Sequence, residues 1–174
     1  FESIPNTDGR DVVLTIRRDI QHTVEAALAA GIERYGAAAG SVVVMNPQTG
    51  QILAMASLPS YQPATFYESA AAVHKNPVLA DSFEPGSIFK VLTVAAGVDS
   101  GVITPETNCT ACSGPRQIGQ YTIKTWNDKY FPGITIRDGL AKSDNTAMIF
   151  IAEQLGATRF SEYLQRFGIG QPTQ

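Results

Sequence analysis

The sequence predicts an α+β fold in which a strand, a helix and a hairpin precede a mainly helical half. Three observations carry that reading. Ile20, Val24, Leu28 and Ile32 recur at every fourth position and draw one apolar stripe along a helix from Asp19 to Tyr35. Two apolar runs, SVVVMN and QILAMAS, flank Pro47-Gln48-Thr49-Gly50, a Pro/Gly turn that makes them a hairpin. Downstream, SIFKVLTVAAGV and TAMIFIAEQL are long apolar segments closed by Gly101 and Gly156, as helices are.

In chain order, Asp11 to Ile16 (DVVLTI) is a β-branched run and is predicted as the first strand. The Asp19 to Tyr35 helix and the hairpin follow. Leu58 to Pro63 (LPSYQP) breaks regular structure, and from Phe66 the chain reads as loop and short helix. A helix is expected from Ser87 to Val98, then an irregular stretch from Thr104 to Pro132 that carries Tyr121-Thr122-Ile123 and Trp126. Thr135 is a candidate cap for a helix from Ile136 to Lys142, with Asp138 at the capping-box position. Ser143-Asp144-Asn145 interrupts the helical pattern before a second helix, Thr146 to Leu155. A third starts at Thr158 with Phe160, Tyr163, Leu164 and Phe167 on one face and Gly168 behind it. The organisation expected is a sheet portion over 1–60 and a mainly helical portion over 61–174 that holds both Ser87 and Ser143.

With 174 residues, 44% of them apolar and 17% charged, the chain is long enough to build a real core. The net charge of −3, with 13 scattered Lys and Arg, offers no basic footprint for nucleic acid or anionic lipid. The apolar runs are far shorter than the ~20 residues of a bilayer span, and FESIPNTDGRD lacks a signal-peptide pattern. The ends show no terminal punctuation, as expected of a piece of something larger. Cys109 and Cys112 form a CxxC, but His22 and His74 are remote, so no metal site is expected. Turn-forming residues flank the pair on both sides, which disfavours a thioredoxin-like site and leaves a loop disulfide or two plain thiols.

One lysine, Lys90, stands in the apolar segment that opens with FEPGSIFK. In a helix entered at Pro85-Gly86, residues i and i+3 share a face, so the Ser87 hydroxyl and the Lys90 amine are within reach of one another. Burial among Ile88, Phe89, Val91 and Val94 is expected to disfavour the ammonium form and make Lys90 a base for Ser87. Ser143-Asp144-Asn145 adds a second cluster at a helix junction: a serine that can relay a proton and an asparagine amide that can hold a substrate amide. The same three residues also suit an N-cap for the helix at Thr146.

These motifs, S-x-x-K followed by S-D-N, resemble those of the penicillin-binding and serine β-lactamase group. The stretches DVVLTIRRDIQ, VVVMNPQTGQILAMASLPSYQP, FEPGSIFK, ITIRDGLAKSDN and RFGIGQPT resemble successive parts of a class B penicillin-binding protein transpeptidase domain, from Asp11 to Thr173. The resemblance implies D,D-transpeptidation on peptidoglycan stem peptides without a cofactor. Ser87 would be the acylated nucleophile and its backbone N–H half of an oxyanion hole. Lys90 would be the base, Ser143 the proton relay and Asn145 the substrate-amide ligand; Asp144 receives no catalytic role. β-Lactam antibiotics would acylate Ser87. The resemblance further implies an extracytoplasmic domain, anchored by an N-terminal helix outside this sequence and working within a cell-wall synthesis complex.

No K-T-G follows Ser143, and the only Lys-Thr, Lys124-Thr125, precedes it. The chain is therefore expected to be the N-terminal part of the domain. The remaining C-terminal part or a second chain would supply the missing strands, and the isolated piece would be inactive or weakly active. Two alternatives share the motifs: a β-lactam-binding sensor domain, and a serine β-lactamase, for which no deacylating base is found.

Overall fold

The computed structural model describes residues 8–172, so the beginning of the N-terminal stretch and Thr173, the last residue of the resemblance, lie outside it. The chain forms two compact units, Phe1–Phe83 and Glu84–Gln174.

The first unit is a helix on a hairpin. Helix α1, Arg18–Tyr35, ends as Gly36 turns left-handed at φ 61°, its N–H directed at the last carbonyls of the helix. The apolar stripe from Ile20 to Ile32 is half-buried throughout. Strands β1, Gly40–Met45, and β2, Ile52–Leu58, pair antiparallel with Val42 opposite Ala56 and Val44 opposite Ala54. The connecting turn closes locally: the Asn46 carboxamide accepts from Gln48 N at 2.9 Å, and Gly50 N donates to the Asn46 carbonyl at 2.8 Å. Two short 3₁₀ turns and the four-residue helix α2, Pro77–Ala80, complete the unit.

The strand expected at Asp11 to Ile16 does not form. Val12, Val13 and Leu14 are 81%, 94% and 69% exposed, and the segment joins no ladder. The outer edge of β2 explains why. Met55 has both backbone groups engaged by the Gln21 carboxamide, which donates to Met55 O at 2.9 Å and accepts from Met55 N at 2.8 Å. Leu53 O is taken by Arg17 N at 2.8 Å, and the 11–16 segment is hydrogen-bonded to this edge through a side chain, Thr15 Oγ1, which donates to Ile52 O at 2.6 Å.

The second unit holds the larger core. Helix α3, Lys90–Asp99, follows directly on a 3₁₀ turn over Gly86–Phe89. After it come strands β3, Arg116–Ile118, and β4, Tyr121–Ile123, an antiparallel hairpin in a stretch expected to be irregular. Helices α4, Ile136–Ala141, α5, Asn145–Leu155, and α6, Ala157–Arg166, finish the chain. Ile103, Ile136, Met148, Phe150, Ile151 and Leu155 pack with Ala96 and Ala147 around Cys109 and Cys112, which form a fully buried disulfide. Helices α3 and α5 meet at Gly97, where a Cβ would stand 2.7 Å from Ile151 Cγ2 and 2.8 Å from Ile103 Cγ1. Helix α4 approaches α5 at Gly139, where a Cβ would come within 2.9 Å of the Ala147 methyl. Those approaches set where α3 stands against the α4–α5 junction, and the site lies there.

Candidate active site

Ser87 and Lys90 lie one 3₁₀ turn apart, and in that tighter helix residues i and i+3 eclipse rather than merely share a face. The left-handed Gly86, φ 58°, turns the chain into the helix after Pro85. Ser87 is exposed, and its N–H belongs to the first turn, where backbone donors have no partner within the helix.

The surroundings of Lys90 differ from those expected. Ile88 and Val91 are 67% and 58% exposed, so they do not wrap the lysine, which is itself half-buried. Its ammonium crosses to the α4–α5 junction instead: Nζ donates to the Ser143 carbonyl at 2.6 Å and to the Ser143 hydroxyl at 2.8 Å. The Ser143 hydroxyl in turn donates to Ser87 Oγ at 3.0 Å. The hydrogen-bonded connection between the Ser87 hydroxyl and the amine thus runs through Ser143. Loss of solvent around the amine holds the Lys90 pKa below the usual lysine value, and the negative field of Asp144 partly opposes that.

Backbone geometry aims Ser143. Its φ of 55° is left-handed, a conformation that costs an L residue about 1 kcal/mol and gathers at functional sites. Ser143 N donates to Leu140 O at 3.0 Å and Asp144 N to Gly139 O at 2.8 Å, closing the end of α4. Asp144 is then the N-cap of α5: Oδ1 accepts from Thr146 N at 2.7 Å, Thr146 Oγ1 at 2.6 Å and Ala147 N at 3.2 Å. Of the two readings of Ser143-Asp144-Asn145, the N-cap is formed by the middle residue, while Ser143 stands against Ser87 and Lys90. Asn145 Nδ2 donates to the Lys124 carbonyl at 2.7 Å, which ties α5 to the segment following β4.

Sequence reasoning passed over two contributors. Asp144, given no catalytic role, caps α5 and is turned inward, 2% exposed, beside Ser143. Lys124 serves Asn145 through a backbone carbonyl, which carries no side-chain signal. A cavity of about 480 Å³ opens beside Ser143, with Trp126, Phe131 and Lys142 in its lining. Among the described residues no group of three or more His, Cys, Asp or Glu could hold a metal ion, and no helix is long and apolar enough to cross a membrane.

The site thus joins one hydroxyl through a second hydroxyl to an amine, at the start of an apolar helix. The family model of the penicillin binding protein transpeptidase domain matches residues 40–174, and the chain belongs to that family, as a class B type. It is 35% identical over 163 residues to the probable peptidoglycan D,D-transpeptidase PbpC of Pseudomonas aeruginosa, covering 94% of this chain and 28% of that protein. With the penicillin-binding protein PbpB of Mycolicibacterium smegmatis it shares 33% identity over 168 residues, 95% of this chain and 26% of that one. The chain thus spans about a quarter of the length of these relatives. Among solved structures, a peptidoglycan glycosyltransferase from Burkholderia ambifaria superposes with a TM-score of 0.78 at 30% identity, over 91% of this chain and 46% of that one. The α+β transpeptidase fold expected from the sequence is the fold observed.

Proposed function

We propose that this chain is the N-terminal part of a serine D,D-transpeptidase domain that cross-links peptidoglycan, with Ser87, Lys90 and Ser143 as its catalytic residues and Asn145 as a substrate-amide ligand. The single observation that carries the reading is the hydrogen-bonded line Ser87 Oγ, Ser143 Oγ, Lys90 Nζ, drawn from sequence positions 53 and 56 apart.

In the first half-reaction Ser87 Oγ attacks the carbonyl carbon of the penultimate D-Ala of a stem peptide. Its proton moves to Ser143 Oγ as the Ser143 proton moves to Lys90 Nζ, which must be an uncharged amine at that moment; burial of the amine favours this form. The Ser87 N–H accompanies the carbonyl oxygen as it gains charge. The C–N bond then breaks, the terminal D-Ala leaves with a proton returned along the same line, and an acyl ester remains on Ser87. An amine of a second stem attacks that ester, its proton passes toward Lys90, and the Ser87 hydroxyl is restored. β-Lactams enter at the first step and stop at the ester. The substrate and the relatives' roles imply work outside the cytoplasm, in a longer protein whose further strands complete the site.

The test is labelling by a fluorescent penicillin. The full-length protein should acquire one stable adduct, located on Ser87 by mass spectrometry and absent in Ser87→Ala. Labelling of Ser87→Ala at the wild-type rate would overturn the assignment, and rapid drug hydrolysis would indicate a β-lactamase instead.

A further inference from the structure

Asp144 has an unused half. Oδ1 carries all three of its hydrogen bonds, whereas Oδ2 is fully buried and has no hydrogen-bond partner in the protein among the described residues. A buried acceptor without a donor costs about 1–3 kcal/mol, so its retention calls for a compensating role. An Asn or Ser at an N-cap would serve the helix as well as Asp does; the cap alone does not require a charge here.

The peptide joining Ser143 to Asp144 is held at both ends. Its carbonyl accepts from Lys90 Nζ at 2.6 Å, and its N–H donates to Gly139 O at 2.8 Å. One peptide unit therefore links the ammonium to the residue bearing the buried carboxylate. The other charged groups near the site are engaged elsewhere or face water. Lys142, on the same junction, places its Nζ 5.0 Å over the Phe131 ring. Lys124 pairs with Asp128 at 3.4 Å, Glu153 on α5 holds Arg116 at 2.6 Å, and Asp99 at the far end of α3 is bonded to Tyr163 and Arg166. Asp138 on α4 and Lys129 on the cavity rim are exposed.

Building on the acyl-transfer reading above, we propose that Asp144 is a positioning residue of this site: its buried carboxylate caps α5 and, through the peptide it shares with Ser143, fixes Ser143 against Ser87 and Lys90. The charge has a definite consequence. A carboxylate near an amine favours the ammonium form, and its field is the influence that opposes desolvation at Lys90. Removing the charge leaves desolvation unopposed, and the uncharged amine then persists to lower pH.

The experiment measures the β-lactam acylation rate of the full-length protein against pH, together with thermal stability. Asp144→Asn keeps a capping oxygen and removes the charge, and the acid limb of its profile should move to lower pH. Asp144→Ala removes the anchor too, so acylation should fall on the order of tenfold to a hundredfold at every pH, as misplacement of a relay group does. Thr146→Val acts in the opposite sense: it deletes the hydroxyl that donates to Oδ1 at 2.6 Å, leaves the carboxylate less neutralised, and should move the acid limb to higher pH. If Asp144→Asn does not fold, Thr146→Val decides the matter alone. Acid limbs coincident with wild type in the folded variants would overturn the proposal while leaving Ser87 and Lys90 in their roles. A Ser87→Ala protein that still acylates would instead remove the acyl-transfer reading itself.

Discussion

Lys90 Nζ donates to both the carbonyl and the hydroxyl of Ser143, 53 positions away, at 2.6 and 2.8 Å, and this double contact locks the start of α3 to the α4–α5 junction. Because the second of those acceptors also touches Ser87, one side chain at the junction contacts both the Ser87 hydroxyl and the amine.

Ser143→Gly should separate function from stability. Glycine tolerates the φ of 55° that serine holds at a cost of about 1 kcal/mol, so the midpoint of denaturation is expected to hold or rise. The relay hydroxyl is gone, and β-lactam acylation of the full-length protein should drop on the order of a hundredfold or more. Stopped-flow labelling and a urea titration on the same preparation measure both; an unchanged acylation rate would remove Ser143 from the proton path.

Gly97→Ala should destabilise the second unit by about 1–3 kcal/mol through overpacking, since the added methyl meets Ile151 and Ile103 at 2.7 and 2.8 Å. The shift displaces α3 and the Ser87–Lys90 turn with it, so labelling should weaken in parallel. A denaturation midpoint equal to that of the wild type would show that the helices separate freely there.

Cys109 and Cys112 are 0% exposed, so native protein should resist a hydrophilic thiol reagent even with reductant present, and react only after denaturation. Replacing both by Ala should lower stability by about 2 kcal/mol or more, from loss of the cross-link and of core packing. Rapid alkylation of the folded, reductant-treated protein would contradict the burial.

Helix α6 is tied to α3 by Tyr163 OH donating to Asp99 Oδ2 at 2.7 Å and by Arg166 NH1 at 3.4 Å. The tyrosine bond, then the arginine, hold the Asp99 carboxyl below the usual range, and the same bond to Asp99 raises the tyrosine. A carboxyl with a lowered folded pKa contributes stability above its unfolded pKa and loses it as pH falls through the folded one. A phenol with a raised folded pKa contributes below its unfolded pKa and loses it as pH rises through the folded one. Tyr163→Phe should therefore cost stability most at neutral pH, with the gap to wild type closing in strong acid and in strong alkali. A gap constant across pH would show that the ring, not the hydroxyl, matters.

The isolated chain should label poorly with penicillin compared with the full-length protein. One face of the hairpin leaves Val43 and Met45 40% and 53% exposed, and Val12 to Leu14 have no ladder partner among the described residues, so the first unit stands with much apolar surface in water. Rapid stoichiometric labelling of the isolated chain, lost in Ser87→Ala, would show that the site needs nothing more.

The sequence by itself determined the elements whose signals are local. The stripe from Ile20 to Ile32, the turn at Pro47 to Gly50, the Thr135 cap whose Oγ1 accepts from Asp138 N at 3.2 Å, and the Ser87–Lys90 spacing are all set within a few residues. Its family also lay in those letters. The 116–123 hairpin was legible only in hindsight, as β-prone residues around Gly119, which turns at φ 56°. Asp11 to Ile16 has strand composition but no ladder partner among the described residues, because pairing depends on an edge elsewhere in space. Only the tertiary structure decided that Ser143 reaches both Ser87 and Lys90, and that Asp144 turns inward. Those outcomes rest on the close approach of α4 to α5 at Gly139 and on a left-handed Ser143, and neither a long-range approach nor a single dihedral is written in residue spacing.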